Sequence, residues 1–203
     1  MTLTVLLLVV FLITTSMLWN EGLWNNALSL IHTMLAGLVA TNGWEILAGY
    51  LDEQMPEYTY VWDFLSVWTI FCLTYAILRA TAEQLSKHRI KFKLPIEQTG
   101  RILFAIWTGW VMVCFAMFTL HTAPIAKNAF RGGLKHEVGE KNFLGLGPDL
   151  LWLGLVQSSS KTSLSRSTGP DRVQVFDPDS NFRGRYAARR EVLEKQEGLK
   201  VGR

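Results

Sequence analysis

Residues 102–120 read Ile-Leu-Phe-Ala-Ile-Trp-Thr-Gly-Trp-Val-Met-Val-Cys-Phe-Ala-Met-Phe-Thr-Leu, nineteen positions without a charge. As a helix rising about 1.5 Å per residue this run covers close to the ~30 Å hydrocarbon thickness of a bilayer. Three more apolar runs precede it, at 2–18, 25–41 and 61–78. The chain is 49% hydrophobic and 18% charged, against about 25% charged in soluble proteins. Residues 1–78 contain no Lys or Arg, and a soluble domain does not leave so long a stretch without basic residues. The reading is an all-α membrane protein: a bundle of about four transmembrane helices over residues 1–125, then a polar, partly helical C-terminal tail over 126–203.

Each span has its own character. No base precedes Leu3 and no small-x-small site follows the first run, so an uncleaved helix is expected rather than a signal peptide. Trp19 and Trp24 bracket the next turn at headgroup level, which predicts a tight hairpin of the first two helices. In the second span Ser29, Thr33 and Gly37 recur every four positions, as do Ala36 and Ala40. Such a stripe permits close backbone approach by a neighbouring helix. Thr41–Asn42–Gly43 is expected to end that span. A short interfacial helix would follow at Trp44, Leu47, Ala48 and Leu51, with Glu45, Asp52 and Glu53 facing water. Cys72 and Cys114, both inside apolar runs, read as small buried hydrophobes.

Six of the twenty bases lie in 79–101, which makes that loop cytoplasmic by the positive-inside rule and places both termini outside. Lys127, Arg131 and Lys135, just past the fourth span, pull the other way but are fewer. In the tail, the apolar island Leu150–Val156 follows Pro148 and Asp149, a helix start. A short helix near 149–157, docked on the bundle or lying on the lipid surface, is expected. Gln157–Pro170 reads as a linker, and a solvated helix is expected near 186–200.

Chemistry is sparse. His32 is the one histidine within a span, and with Asn26 it forms a possible intramembrane polar site. A proton relay needs a second titratable group, and Glu45 is roughly 20 Å away along a helix, so a structural histidine is the expectation. Glu45, Asp52, Glu53, Glu57 and Asp63 make an acidic face, solvated or docking a cationic partner such as the tail itself. Lys87, Arg89, Lys91 and Lys93 interleave with Ile90 and Phe92, a pattern suited to anionic lipid headgroups rather than nucleic acid. The glycine pairs at 132–133 and 145–147 lack the Lys-Ser/Thr of a phosphate-binding loop. No catalytic, cofactor-binding or metal-ligating set stands out, and no enzyme is expected.

Gly22–Leu23, Leu28–Ser29–Leu30, Gly37 and Leu47–Ala48, followed by Phe64–Leu65, Leu78–Arg79, Leu85, Lys87, Leu94–Pro95, Gly100 and Gly109, resemble the CvpA, or colicin V production protein, family in order and spacing. The resemblance runs over roughly residues 1–125. The chain departs from it at Asn20 and Glu21, where the family often has a basic residue, and at Ala105, where it often has Gly. With the stripe on the second span, Ala105 and Gly109 complete the expected helix-packing set. The resemblance implies a multi-pass inner-membrane protein linked to toxin production or export or to envelope function, within a complex or a homo-oligomer, and no known reaction. Two other functions remain open: a small transporter or channel, routed past Asn25, Asn26, Ser29, His32 and Thr33, and a membrane-tethered scaffold acting through the tail.

Overall fold

A computed structural model describes residues 2–85, 93–125, 130, 133–135, 140–161, 166–167, 173–174 and 176–195. The helices are α1 (Thr2–Leu18), α2 (Leu23–Gln54), α3 (Thr59–Leu85), α4 (Leu94–Thr122), α5 (Pro148–Lys161) and α6 (Phe182–Lys195), with a 3-10 turn at Pro56–Tyr58. Two two-residue strands, Arg166–Ser167 and Val173–Gln174, pair antiparallel between α5 and α6. The protein is an all-α membrane protein. α2, α4 and the stretch Pro56–Leu85 are long and apolar enough to cross a bilayer, and α1, at 17 residues, is an apolar helix just short of that length.

The second helix does not break at Gly43. α2 runs unbroken for 32 residues, because its polar side chains bond within the helix. Thr41 Oγ1 donates to Gly37 O at 2.8 Å and Asn42 Nδ2 donates to Leu38 O at 2.8 Å, so neither offers the backbone an alternative to the helix. Trp44 and Ala48, expected on a short interfacial helix, are buried in the bundle instead. Of the three acids expected to face water, Glu45 and Glu53 are exposed and Asp52 is half-buried.

α2 packs against α3 and α4, while α1 packs along α4. The expected tight hairpin of α1 with α2 is therefore only a shared turn. Leu3 and Leu7 of α1 join Val113 and Met117 of α4 in one apolar cluster. The other, larger cluster joins Ala36, Ala40 and Trp44 of α2 to Phe71 of α3 and Phe115 and Phe118 of α4. Trp152 and Val156 of α5 and Phe182 of α6 belong to that same cluster. The tail thus supplies core residues to the bundle. The last helix begins earlier than the expected 186: α6 starts at Phe182, which is 2% exposed and packs on the bundle, while Arg185, Ala188, Glu191 and Val192 are exposed, and among the described residues it ends at Lys195. Positions 196–200 lie outside the described residues. Cys114 is buried as expected, but Cys72 is exposed on the outer face of α3.

Candidate functional site

Among the described residues, the densest group of buried charged side chains lies where α4 ends and the tail helices begin. Pro148 occupies the first turn of α5, where its missing N–H is no loss, and Asp149 follows it into that turn, where the helix dipole favours an acid. Asp149 Oδ2 receives three partners from three other segments. His121 Nε2, in the last turn of α4, stands 3.1 Å away; Asn142 Nδ2 donates at 3.0 Å; Arg183 NH1, at the start of α6, donates at 3.2 Å. His121 and Asp149 are wholly buried, Asn142 is 2% exposed and Arg183 4%. Asn142 also clasps its own loop, accepting from Lys135 N at 2.7 Å and donating to Lys135 O at 3.1 Å. Arg183 NH1 donates to Glu140 O at 2.9 Å.

Burial alone would raise the Asp149 carboxyl. The hydrogen bond and charge of His121, the amide of Asn142 and the Arg183 guanidinium outweigh it and hold the group below the ordinary carboxylate range. The cluster is therefore a carboxylate matched by a guanidinium and a histidine, closed away from solvent.

A second pair sits beside it. Arg189 of α6 donates to Asp63 Oδ2 and, at 3.2 Å, to Thr59 O; Tyr186 OH lies 3.4 Å from Asp63 Oδ2. Burial first, then the Asp63 charge, pushes the Tyr186 phenol well above its ordinary range. Between the two ionic groups lies a cavity of about 20 Å³, lined by Tyr60, Asp63, His121, Tyr186 and Arg189, room for one water molecule. The acidic face thus does meet the chain's own tail, but through one residue and one base of α6. Of the bases just past the fourth span, Lys127 and Arg131 lie outside the described residues, and Lys135 pairs with Glu140 at 3.7 Å.

The sequence-derived candidates fall elsewhere. Asn26 is buried and its amide donates to Leu18 O at 3.0 Å and Arg101 O at 3.0 Å, tying α1 and α4 to the start of α2. His32 is buried and meets the Tyr75 ring edge-on at 6.2 Å. Neither belongs to the ionic cluster. Ser29, Thr33, Ala36, Gly37 and Ala40 are all buried, and so are Ala105 and Gly109 on α4. A Cβ on Gly109 would lie 2.5 Å from Thr15 Oγ1 and 3.1 Å from the Phe11 ring, so α1 crosses α4 there at glycine distance. At Gly37 the close neighbour is the Trp152 indole of α5. Lys93 is exposed before α4, whereas Lys87, Arg89 and Lys91 lie outside the described residues.

The motifs of the resemblance also meet in space. Leu23 N, at the start of α2, donates to Glu97 Oε1 of α4 at 2.8 Å, and a Cβ on Gly100 would collide with the Leu23 side chain. Gly22–Leu23 and Gly100 thus form one junction between α2 and α4, with Glu97 capping an otherwise uncapped helix start. Residues 3–135 match the family model described as Colicin V production protein. The chain belongs to the colicin V production protein family. No curated protein and no solved structure matches it. In this colicin V production family member the match covers all four helices of the bundle and ends at Lys135. His121 and Asp63 lie within it, and their partners Asp149, Arg183, Tyr186 and Arg189 lie beyond. The family is not known as an enzyme family.

Proposed function

We propose that this chain is a non-enzymatic inner-membrane component required for production or export of a colicin V-type peptide toxin, working within a membrane complex. The family match over residues 3–135 carries the reading. The side-chain chemistry is consistent with it: the buried ionic groups pair with one another and tie helices together. Asn26 and His32, which a transport path would need, are engaged in helix contacts instead. In this reading the 79–101 loop is cytoplasmic, and the Asp52–Asp63 turn and the tail lie on the opposite side.

The test is disruption of the gene in a cell that makes such a toxin, with toxin assayed separately in medium and cytoplasm. Loss from the medium with retention inside, restored by the intact gene, is expected. Unchanged secretion overturns the role. Orientation is read by single cysteines replacing Glu57 and Lys93, both exposed, in a background lacking Cys72 and Cys114. An impermeant thiol reagent should label position 57 in intact cells and position 93 only after lysis; the reverse pattern inverts the topology.

A further inference from the structure

Between Lys141 and Lys161 the chain carries one charge in nineteen residues, and that charge, Asp149, is wholly buried. The outward face of this stretch is Leu144, Gly145, Leu146, Leu151, Gly154 and Ser158, with Leu144 77%, Leu146 54% and Leu151 55% exposed. A tail helix bathed in water normally puts charges on that face, as α6 does with Arg185 and Glu191. α5 puts none there.

Its position along the bundle is equally telling. Asp149 pairs with His121, at the tail-side end of α4. Phe143 packs on Trp110 at 6.2 Å between ring centroids, and Trp110 lies eleven residues, roughly 16 Å of helical rise, before His121. Trp152 packs on Phe115 at 5.3 Å, six residues or roughly 9 Å before it. Both aromatic anchors therefore lie well inside the apolar run of α4.

At that depth an irregular backbone must satisfy itself. The turn before α5 does so in part, through three backbone hydrogen bonds. Four of its residues adopt positive φ, Phe143 at 48°, Leu144 at 56°, Gly145 at 81° and Gly147 at 60°, which curls the chain tightly. Leu146 N donates to Phe143 O at 3.0 Å, Gly147 N to Asn142 O at 3.0 Å, and Leu151 N to Gly147 O at 3.1 Å. α5 has 14 residues, about 21 Å, too short to cross.

We propose that residues 142–156 form a re-entrant membrane element that enters the tail-side leaflet beside α4 and presents Leu144, Leu146 and Leu151 to lipid acyl chains. The partner is hydrocarbon, as for α1, where Val5, Leu12 and Ile13 are similarly exposed. Lys141 and Lys161, both exposed, stand at the two ends of the element, and their long stems can carry the ammonium groups out to the headgroups. The chain then holds to the bilayer by a fifth contact that the four long apolar runs do not supply.

The test uses the full chain in phosphatidylcholine liposomes, with Cys72 and Cys114 replaced by Ser. A fluorophore is placed on Leu144→Cys or Leu151→Cys, with Leu12→Cys as the lipid-facing reference and Val192→Cys as the water-facing one. Positions 144 and 151 should be quenched by acyl-chain nitroxide lipid within about twofold of position 12, and by iodide several-fold less than position 192. If either behaves like Val192, the element lies in water and the proposal fails. A photoreactive acyl-chain lipid reads the same contact on the unsubstituted protein. Adducts within 142–156 are expected, and adducts confined to α1–α4 overturn it.

Discussion

A Cβ built on Gly37 would stand 2.5 Å from Cη2 of Trp152. The Cη2 and Cζ2 atoms of the indole fill the hollow that the glycine leaves, and its Nε1 donates to Thr41 Oγ1 at 3.1 Å, one turn further along α2. The small-residue stripe on α2 is thus a seat for a side chain of the tail as well as a helix-packing surface.

Gly37→Ala must therefore displace a buried ring, and overpacking of this kind costs ~1–3 kcal/mol. The control is Gly43→Ala, whose added methyl would find Ile70 Cδ1 at 3.7 Å, an ordinary contact. Ala gains up to ~1 kcal/mol over Gly in a helix interior, so this variant should be neutral or stabilised. Thermal unfolding in detergent should rank Gly37→Ala below the parent and Gly43→Ala at or above it. Equal tolerance would mean that Trp152 is not seated on α2.

Asp149 gives a dependence on acid. Its carboxyl is held below the ordinary value, so its contribution to stability is fully present above the unfolded carboxylate pKa of ~3.9 and is lost as pH falls through the lower folded value. Melting temperature should drop steeply below about pH 4. Asp149→Asn removes that part of the acid slope and, by leaving Arg183 buried without its carboxylate, lowers stability at pH 7 by ~3–5 kcal/mol. A variant with unchanged stability at neutral pH would show that the cluster does not hold the tail.

Two of the ionic contacts of α6, Arg183 with Asp149 and Arg189 with Asp63, should differ in strength. Arg183 is 5% exposed at its side chain and Arg189 is 37%, while the carboxylates they meet are both nearly buried. Solvent screens the second pair more, so Arg189→Gln should cost roughly 1–2 kcal/mol less than Arg183→Gln. Added salt should narrow the stability of parent and Arg189→Gln but leave the Arg183→Gln deficit nearly intact. Chemical denaturation of both variants at two salt concentrations measures it, and a larger deficit for Arg189→Gln would reverse the assignment.

The all-helical membrane fold was legible because uncharged runs and the absence of bases through residue 78 leave few alternatives. Thr2–Leu18 could be bounded to the residue, since polar Trp19–Asn20–Glu21 follows an unbroken apolar run. The course of α2 past Gly43 was not legible. Thr41 and Asn42 look like breakers until their side chains are seen bonding to carbonyls four residues back. The ionic cluster was hidden for a different reason. His121 and Asp149 are 28 residues apart and Asp149 and Arg183 34 apart, and no local period links them. One signal was present: Asp149 is the lone charge in an apolar stretch, a residue that must be either paired or misplaced.

The last prediction separates two glycines of α4 that look alike in sequence. At Gly109 an added Cβ would meet Thr15 Oγ1 at 2.5 Å and the Phe11 ring at 3.1 and 3.2 Å. Thr is β-branched and stiff about χ1, and an aromatic ring has no slack along its plane, so neither can withdraw without moving α1. At Gly100 the Cβ would run into the Leu23 side chain, and its nearest atom is the tip Cδ1, which can swing to another rotamer. Leu23 N would remain bonded to Glu97 through that change, because the cap uses backbone. Gly109→Ala should therefore lower the melting temperature clearly, by a cost of ~1–3 kcal/mol, while Gly100→Ala should cost under about half as much. Shaving the opposing face tests the cause: adding Phe11→Leu to Gly109→Ala should recover part of the loss, although Phe11→Leu alone lowers stability. If the double variant is as unstable as the sum of the two single ones, the collision at the α1–α4 crossing is not the source of the effect.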